Sequence, residues 1–210
     1  MKSLRWIFIA ALLGVAVRAE LPLIPDAAHD PAWRELFAQL APTRSRQSGF
    51  EERRYFPFRK DPVVLTGEIR FAPGHGLSLS YRTPDARVLI ADDKGLLMRD
   101  DQGRERAPPS DDRAQGATTA LVNVLHFNLP ELEKSFSVHG RREGAGWAVA
   151  FVPRDAQLAA SFGTLTLTGE ESRPRKIEIV RSPTQRIEIL LGEPKDGVIF
   201  TGEVLRRFFR

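Results

Sequence analysis

Cysteine is absent from this chain of 210 residues. That excludes disulfides and thiol chemistry. It also excludes a lipid-modified N-terminal cysteine, so a mature product would move freely rather than hang from a membrane. Histidine is scarce: His29, His75, His126 and His139 lie far apart, with no pair one helical turn apart to hold a metal. There is no Gly-x-Ser-x-Gly elbow for serine hydrolysis. The turn Gly74-His75-Gly76 has no helix start behind it to bind an anion. The carboxylate pairs Asp92-Asp93 and Asp111-Asp112 fall in polar turns, where solvation would prevent the raised pKa that acid catalysis needs. These gaps leave no enzyme constellation, and they require neither cofactor nor metal.

Long apolar runs are lacking too. The longest, residues 6–17, is too short to span a bilayer. It follows Met1-Lys2-Ser3-Leu4-Arg5 and precedes Val17-Arg18-Ala19, a basic, apolar, small-residue order that reads as a secretory signal cut after Ala19. Three of the 31 Lys and Arg (Lys2, Arg5, Arg18) lie in it, which leaves 28 against 27 Asp and Glu in a single domain of residues 20–210. The basic balance is therefore mostly a targeting effect. No stripe of Lys and Arg with interleaved aromatics is present, so nucleic acid is not an expected partner.

What the chain does have is alternation. In Leu65-Thr66-Gly67-Glu68-Ile69-Arg70-Phe71 the odd positions are apolar or glycine and the even ones polar, which is a half-buried strand. Leu77-Ser78-Leu79-Ser80-Tyr81 repeats it, and Val88-Leu89-Ile90-Ala91 and Leu96-Leu97-Met98 follow across the turn Asp92-Asp93-Lys94-Gly95. Tyr55, Phe56 and Phe58 stand close together, and Pro57 and Pro62 confine that segment to an edge or a bend. The second half returns to the pattern with Phe136 and Val138, then Trp147, Val149 and Phe151, then Leu165 and Leu167, then Ile177 and Ile179, then Ile187, Ile189 and Leu191. A sheet with one apolar face must cover it with a second sheet, with helices, or with something that is not protein.

Helices are few. Trp33, Leu36, Phe37 and Leu40 fall on one stripe over residues 31–40, ended by Pro42. Residues 117–127 are apolar nearly all round, the pattern of a buried helix. Asn128 with Glu131 reads as a capping box for a short helix through Lys134, and Asp155 caps another through Ala160. Residues 100–116, with Pro108-Pro109, form a loop or a broken hairpin. The tail, residues 201–210, suits a last helix with Leu205, Phe208 and Phe209 inward.

The order of these elements resembles the periplasmic LolA-type lipoprotein carriers of Gram-negative bacteria, in a divergent branch. The resemblance rests on Gly49-Phe50-Glu51-Glu52-Arg53, Gly67-Glu68-Ile69-Arg70-Phe71, Leu79-Ser80-Tyr81-Arg82-Thr83-Pro84, the strand and turn at residues 88–95, and Pro153-Arg154-Asp155-Ala156-Gln157-Leu158 with residues 165–169. It implies a mainly β fold with covering helices: a curved antiparallel half-barrel whose apolar concave face, under a helical lid, leaves a cavity for acyl chains. The cavity would be lined by Phe50, Leu65, Ile69, Phe71, Leu77, Leu79, Tyr81, Val149 and Phe151, with Leu121, Val124 and Leu125 on the lid. The implied function is a non-enzymatic monomeric carrier in the periplasm, moving an acylated lipoprotein or other lipid from an inner-membrane release complex to an outer-membrane acceptor. The alternatives are a carrier of a glycolipid or long-chain product, and a regulatory or scaffold module, since similar half-barrels occur in envelope-stress sensors such as RseB. One departure stands out: the arginine that typically precedes the proline ending the second strand is replaced here by Ala72-Pro73, and Arg70 falls on the polar face by alternation.

Overall fold

The alternation becomes hydrogen-bonded strand along most of the chain. The computed structural model describes residues 21–41, 43–107, 123–124 and 127–210. The expected signal at residues 1–19, Pro42, His126, Asp111-Asp112 and most of the lid segment, including Leu121 and Leu125, lie outside the described residues. Strands β1 (Arg46–Tyr55), β2 (Val63–Ala72), β3 (Gly76–Thr83), β4 (Arg87–Asp92), β5 (Gly95–Asp100) and β6 (Glu105–Arg106) form one meander. A second comprises β7 (Phe136–Glu143), β8 (Gly146–Pro153), β9 (Thr164–Glu170), β10 (Arg173–Ser182) and β11 (Gln185–Leu191). All neighbours are antiparallel, in the order β6-β5-β4-β3-β2-β1-β11-β10-β9-β8-β7, and β12 (Lys195–Asp196) pairs with the start of β1. The two meanders join where β1 meets β11, with Phe50 opposite Leu191 and Glu52 opposite Ile189. The result is an open, curved, mostly antiparallel sheet with few helices, as the half-barrel expectation has it.

The register sorts the side chains. Phe50 lies opposite Gly67 and Ile69 opposite Leu79, while Ile177 lies opposite both Ile189 and Leu167. All of these therefore share one face, called the inner face below. Gly67 is required there, because a Cβ would come within 2.7 Å of the Phe50 ring.

Helices α1 (Arg34–Leu40), α2 (Leu129–Ser135) and α3 (Ala156–Ser161) serve the β7–β9 half. Trp33, Leu36, Phe37 and Leu40 are all buried, as their stripe predicts. They pack with Phe127, Leu132, Phe136, Val138, Val149, Phe151 and Leu165 into one cluster. A Cβ at Gly140 would come within 2.6 Å of the Trp33 ring, so the glycine lets the chain before α1 lie flat on β7. The lead into α1 adds to the edge of β7, with Ile24 N–H donating to Val138 O and Gly140 N–H to Pro22 O. The segment expected to be helical from residue 31 begins its helix at Arg34, after a turn in which the Asp30 carboxylate accepts from Ala32 N–H.

β1 is an interior strand, and Pro57 and Pro62 sit in the bend after it, one of the two placements expected. Other expectations need correction. Asn128 precedes α2 without a side-chain cap, and Glu131 turns instead to Lys134 at 2.6 Å. The pair Asp92-Asp93 is not a solvated turn throughout, because Asp92 is buried against Arg210. Asp155 does cap α3, accepting from Gln157 and Leu158 N–H at 2.9 Å.

The outer face of β2–β5 is not polar throughout either. Helix α4 (Gly202–Phe208) returns across it, with Phe209 buried, and Arg99 donates to the carbonyls of Arg206, Arg207 and Phe209. Ser78, Ile90 and Arg70 are buried beneath this cover, and the Arg70 guanidinium lies 3.9 Å from the Phe208 ring centre. Arg70 thus faces away from the inner face, as alternation implies.

Candidate functional site

Two apolar clusters form on the inner face, and they do not merge. One lies beneath α1 and α2; the other gathers Phe50, Leu65, Leu77, Leu79 and Tyr81, with Ile69, Phe71, Leu89, Ile189 and Leu191 half-buried at its margin. Between them β10 and β11 present a run of half-buried aliphatics. The β-branched residues in this run suit strands, and their alternation leaves every second one pointing inward.

A cleft of about 180 Å³ opens over that run, floored by Phe50, Ile69, Leu79, Tyr81, Leu89, Leu165, Ile177, Ile179, Ile187, Ile189 and Leu191. A second, of about 130 Å³, continues it toward Phe71, Leu77, Leu167 and Leu40. Both touch Ile69, Ile177, Leu191 and Val124. They are therefore one groove with Val124 over its waist, and Val124 is itself buried.

Of the nine cavity residues expected from the sequence, Phe50, Ile69, Phe71, Leu77, Leu79 and Tyr81 line this groove. Leu65 is buried in the cluster below it, and Val149 and Phe151 are fully buried beneath the helices. Alternation placed those two on the correct face but could not tell which part of the face would be covered. Sequence reading missed the aliphatics of β10 and β11 as lining. The signal was present in the alternating Ile177, Ile179, Ile187, Ile189 and Leu191, but no local feature puts these strands beside β1.

One polar rung crosses the groove. Glu52 and Arg54 alternate with Phe50 onto the inner face of β1, and Glu52 is 2% exposed. Tyr81 Oη donates to Glu52 Oε2 at 2.7 Å and Arg54 Nε–H donates to Oε1 at 2.5 Å. Burial and the adjacent carboxylate both push the Tyr81 hydroxyl upward, so it stays a donor. Burial works against the Arg54 charge, and Glu52 outweighs it, holding the guanidinium above its ordinary value. The site therefore offers a long apolar floor with one satisfied polar crossing in the first cleft, and Arg46 and Ser48 in the wall of the second. Among the described residues no group of three side chains is placed to hold a metal, and no helix is long and apolar enough to cross a membrane.

No protein-family model matches the sequence, and no curated protein matches it. Solved structures do. A LolA superfamily protein of Nitrosomonas europaea is similar over 82% of this chain and 96% of that one, at 8% identity and a TM-score of 0.42. A putative outer membrane lipoprotein-sorting protein domain of Vibrio parahaemolyticus is similar over 83% and 94% of the two chains, at 8% identity and a TM-score of 0.45. The MucA/MucB complex of Pseudomonas aeruginosa is similar over 83% of this chain and 59% of that one, at 14% identity and a TM-score of 0.46. Cargo must be read from this chain's own groove.

Proposed function

We propose that this protein is a carrier of acyl chains, binding an acylated lipoprotein or another long-chain lipid along the inner face and moving it through the periplasm. An inner-membrane release complex would load it and an outer-membrane acceptor would unload it. The export signal, cut after Ala19, would deliver a chain starting at Glu20. The observation that supports this best is the groove floored by Ile69, Ile177, Ile189 and Leu191, half-buried aliphatics at the margins of the two core clusters. Each methylene removed from water is worth about 0.8 kcal/mol, so a multi-chain lipid leaves a bilayer only for an apolar container of this kind. Carriage needs no covalent chemistry, which fits a groove whose one carboxylate is already bonded on both oxygens.

The test is to purify the protein from the periplasm, extract it with organic solvent and weigh what is released, with a fluorescent fatty acid titrated into the stripped protein. Released lipid and saturable binding are expected. A protein that yields no lipid and does not bind the probe would overturn the reading.

A further inference from the structure

The groove does not end in apolar surface. At the β10–β11 turn it runs into a further cleft of about 290 Å³, and the two share Arg54, Ile179 and Ile187. The new walls are Tyr55, Phe56, Arg181, Gln185 and Arg186. Three guanidinium groups thus stand where the aliphatic floor stops.

Their charges are unequally spent. Arg186 donates to Glu188 at 3.1 Å and lies 3.7 Å over the Tyr55 ring, and the Tyr55 hydroxyl also donates to Glu188. Arg54 spends its Nε–H on Glu52. Arg181 is exposed, and among the described residues its side chain has neither a hydrogen bond nor an ionic partner. Glu52 and Glu188, the carboxylates beside Arg54 and Arg186, are both already bonded, which leaves the Arg181 guanidinium unspent. A guanidinium beside an apolar, partly water-excluded floor is a strong and geometrically selective partner for a carboxylate or phosphate.

We infer that the cargo is an anionic amphiphile, its acyl chain along Ile179 and Ile187 and its singly charged head, carboxylate or phosphate, held by Arg181 and Arg54 at the β10–β11 end. This rests on the acyl-binding reading above and adds the polarity of the cargo and its direction in the groove. Arg181 is the residue that distinguishes the head.

The experiment compares matched probes on the stripped full-length mature protein: pyrene-labelled hexadecanoic acid against its methyl ester, and pyrene-labelled phosphatidic acid against the corresponding diacylglycerol. In the parent the charged member of at least one pair binds about tenfold more tightly than its neutral partner, the scale of one charge-assisted hydrogen bond. Which pair shows the preference separates a carboxylate head from a phosphate head. Arg181→Glu abolishes that preference, and Arg181→Lys restores most of it. Arg181 is exposed, so neither variant threatens folding. Equal binding of charged and neutral probes by the parent, or a preference that survives Arg181→Glu, overturns the headgroup site and leaves the acyl groove standing. Failure of every probe to bind overturns the groove itself.

Discussion

The β7–β9 half of the sheet and the half formed by β1–β3 with β10 and β11 carry the same alternating code, yet among the described residues one is covered by helices and the other keeps a groove. Val149 and Phe151 disappear beneath α1, α2 and Phe127, while Ile69, Ile177 and Ile189 stay half-buried along a groove. Covering elements, not strand composition, set the difference. Three helical or turn segments converge on β7–β9, and among the described residues only Val124 crosses the waist of the other half.

The largest effect should separate the two halves directly. Phe151→Ala removes a fully buried ring that meets Phe127 and Phe136 edge-on, and it should cost about 3–5 kcal/mol in urea unfolding while the folded fraction binds a fluorescent fatty acid as the parent does. Ile189→Ala, in the groove floor, should cost less than the roughly 2 kcal/mol that begins the range for packed cores. Its probe affinity should fall several-fold, since methylenes of the chain lose their partner. If Ile189→Ala proves the more destabilising and leaves binding intact, the open half is ordinary core.

A smaller effect probes how wet the open half is. Tyr81→Phe takes one donor from the buried Glu52 carboxylate and should cost about 1–3 kcal/mol, measured by thermal or urea unfolding. Where water can reach the carboxylate through the groove the loss falls at the low end, and in a dry cluster at the high end. Loading the protein with a saturating acyl probe should widen the difference between variant and parent, because the chain displaces that water. No change on loading would mean that the chain does not pass Glu52.

Much of this was legible locally. Alternation identified the strands and the inward side of each, the stripe from Trp33 to Leu40 identified the covering helix, and Asp155 identified a capped turn. What the sequence hides is non-local. Nothing near Phe50 announces Leu191 as its neighbour, so the aliphatics of β10 and β11 read as strands without a site. Glu52 and Arg54 obey alternation onto the inner face, but a charged pair in an apolar row is masked by Glu51 and Arg53 beside it. Arg70, Ser78 and Ile90 share the face that looks polar, and their burial is decided by a tail that returns from more than a hundred residues away. That same return buries Asp92, which from sequence belonged to an exposed turn.

The tail supplies the smallest and most specific expectation. Arg210 Nε–H and Nη2–H donate to the two oxygens of Asp92 at 2.6 Å each, and Lys94 N–H donates to one of them. Burial alone would raise the Asp92 carboxyl, but the Arg210 hydrogen bonds and charge, together with Lys94 N–H, outweigh it and hold the group below the usual carboxylate range. A carboxyl lowered in the folded state contributes stability that is fully present above its unfolded value and is lost as pH falls through the folded one. The decline should therefore begin below about pH 4. Asp92→Asn should cost about 1 kcal/mol at neutral pH and flatten that part of the acid limb, read from urea midpoints across pH. Because Asp92 ends β4 on the outer face, away from the groove, acyl-probe affinity at neutral pH should match the parent's. A matching loss of affinity in Asp92→Asn would mean that the tail shapes the groove through the sheet, and that the open half is held open from behind.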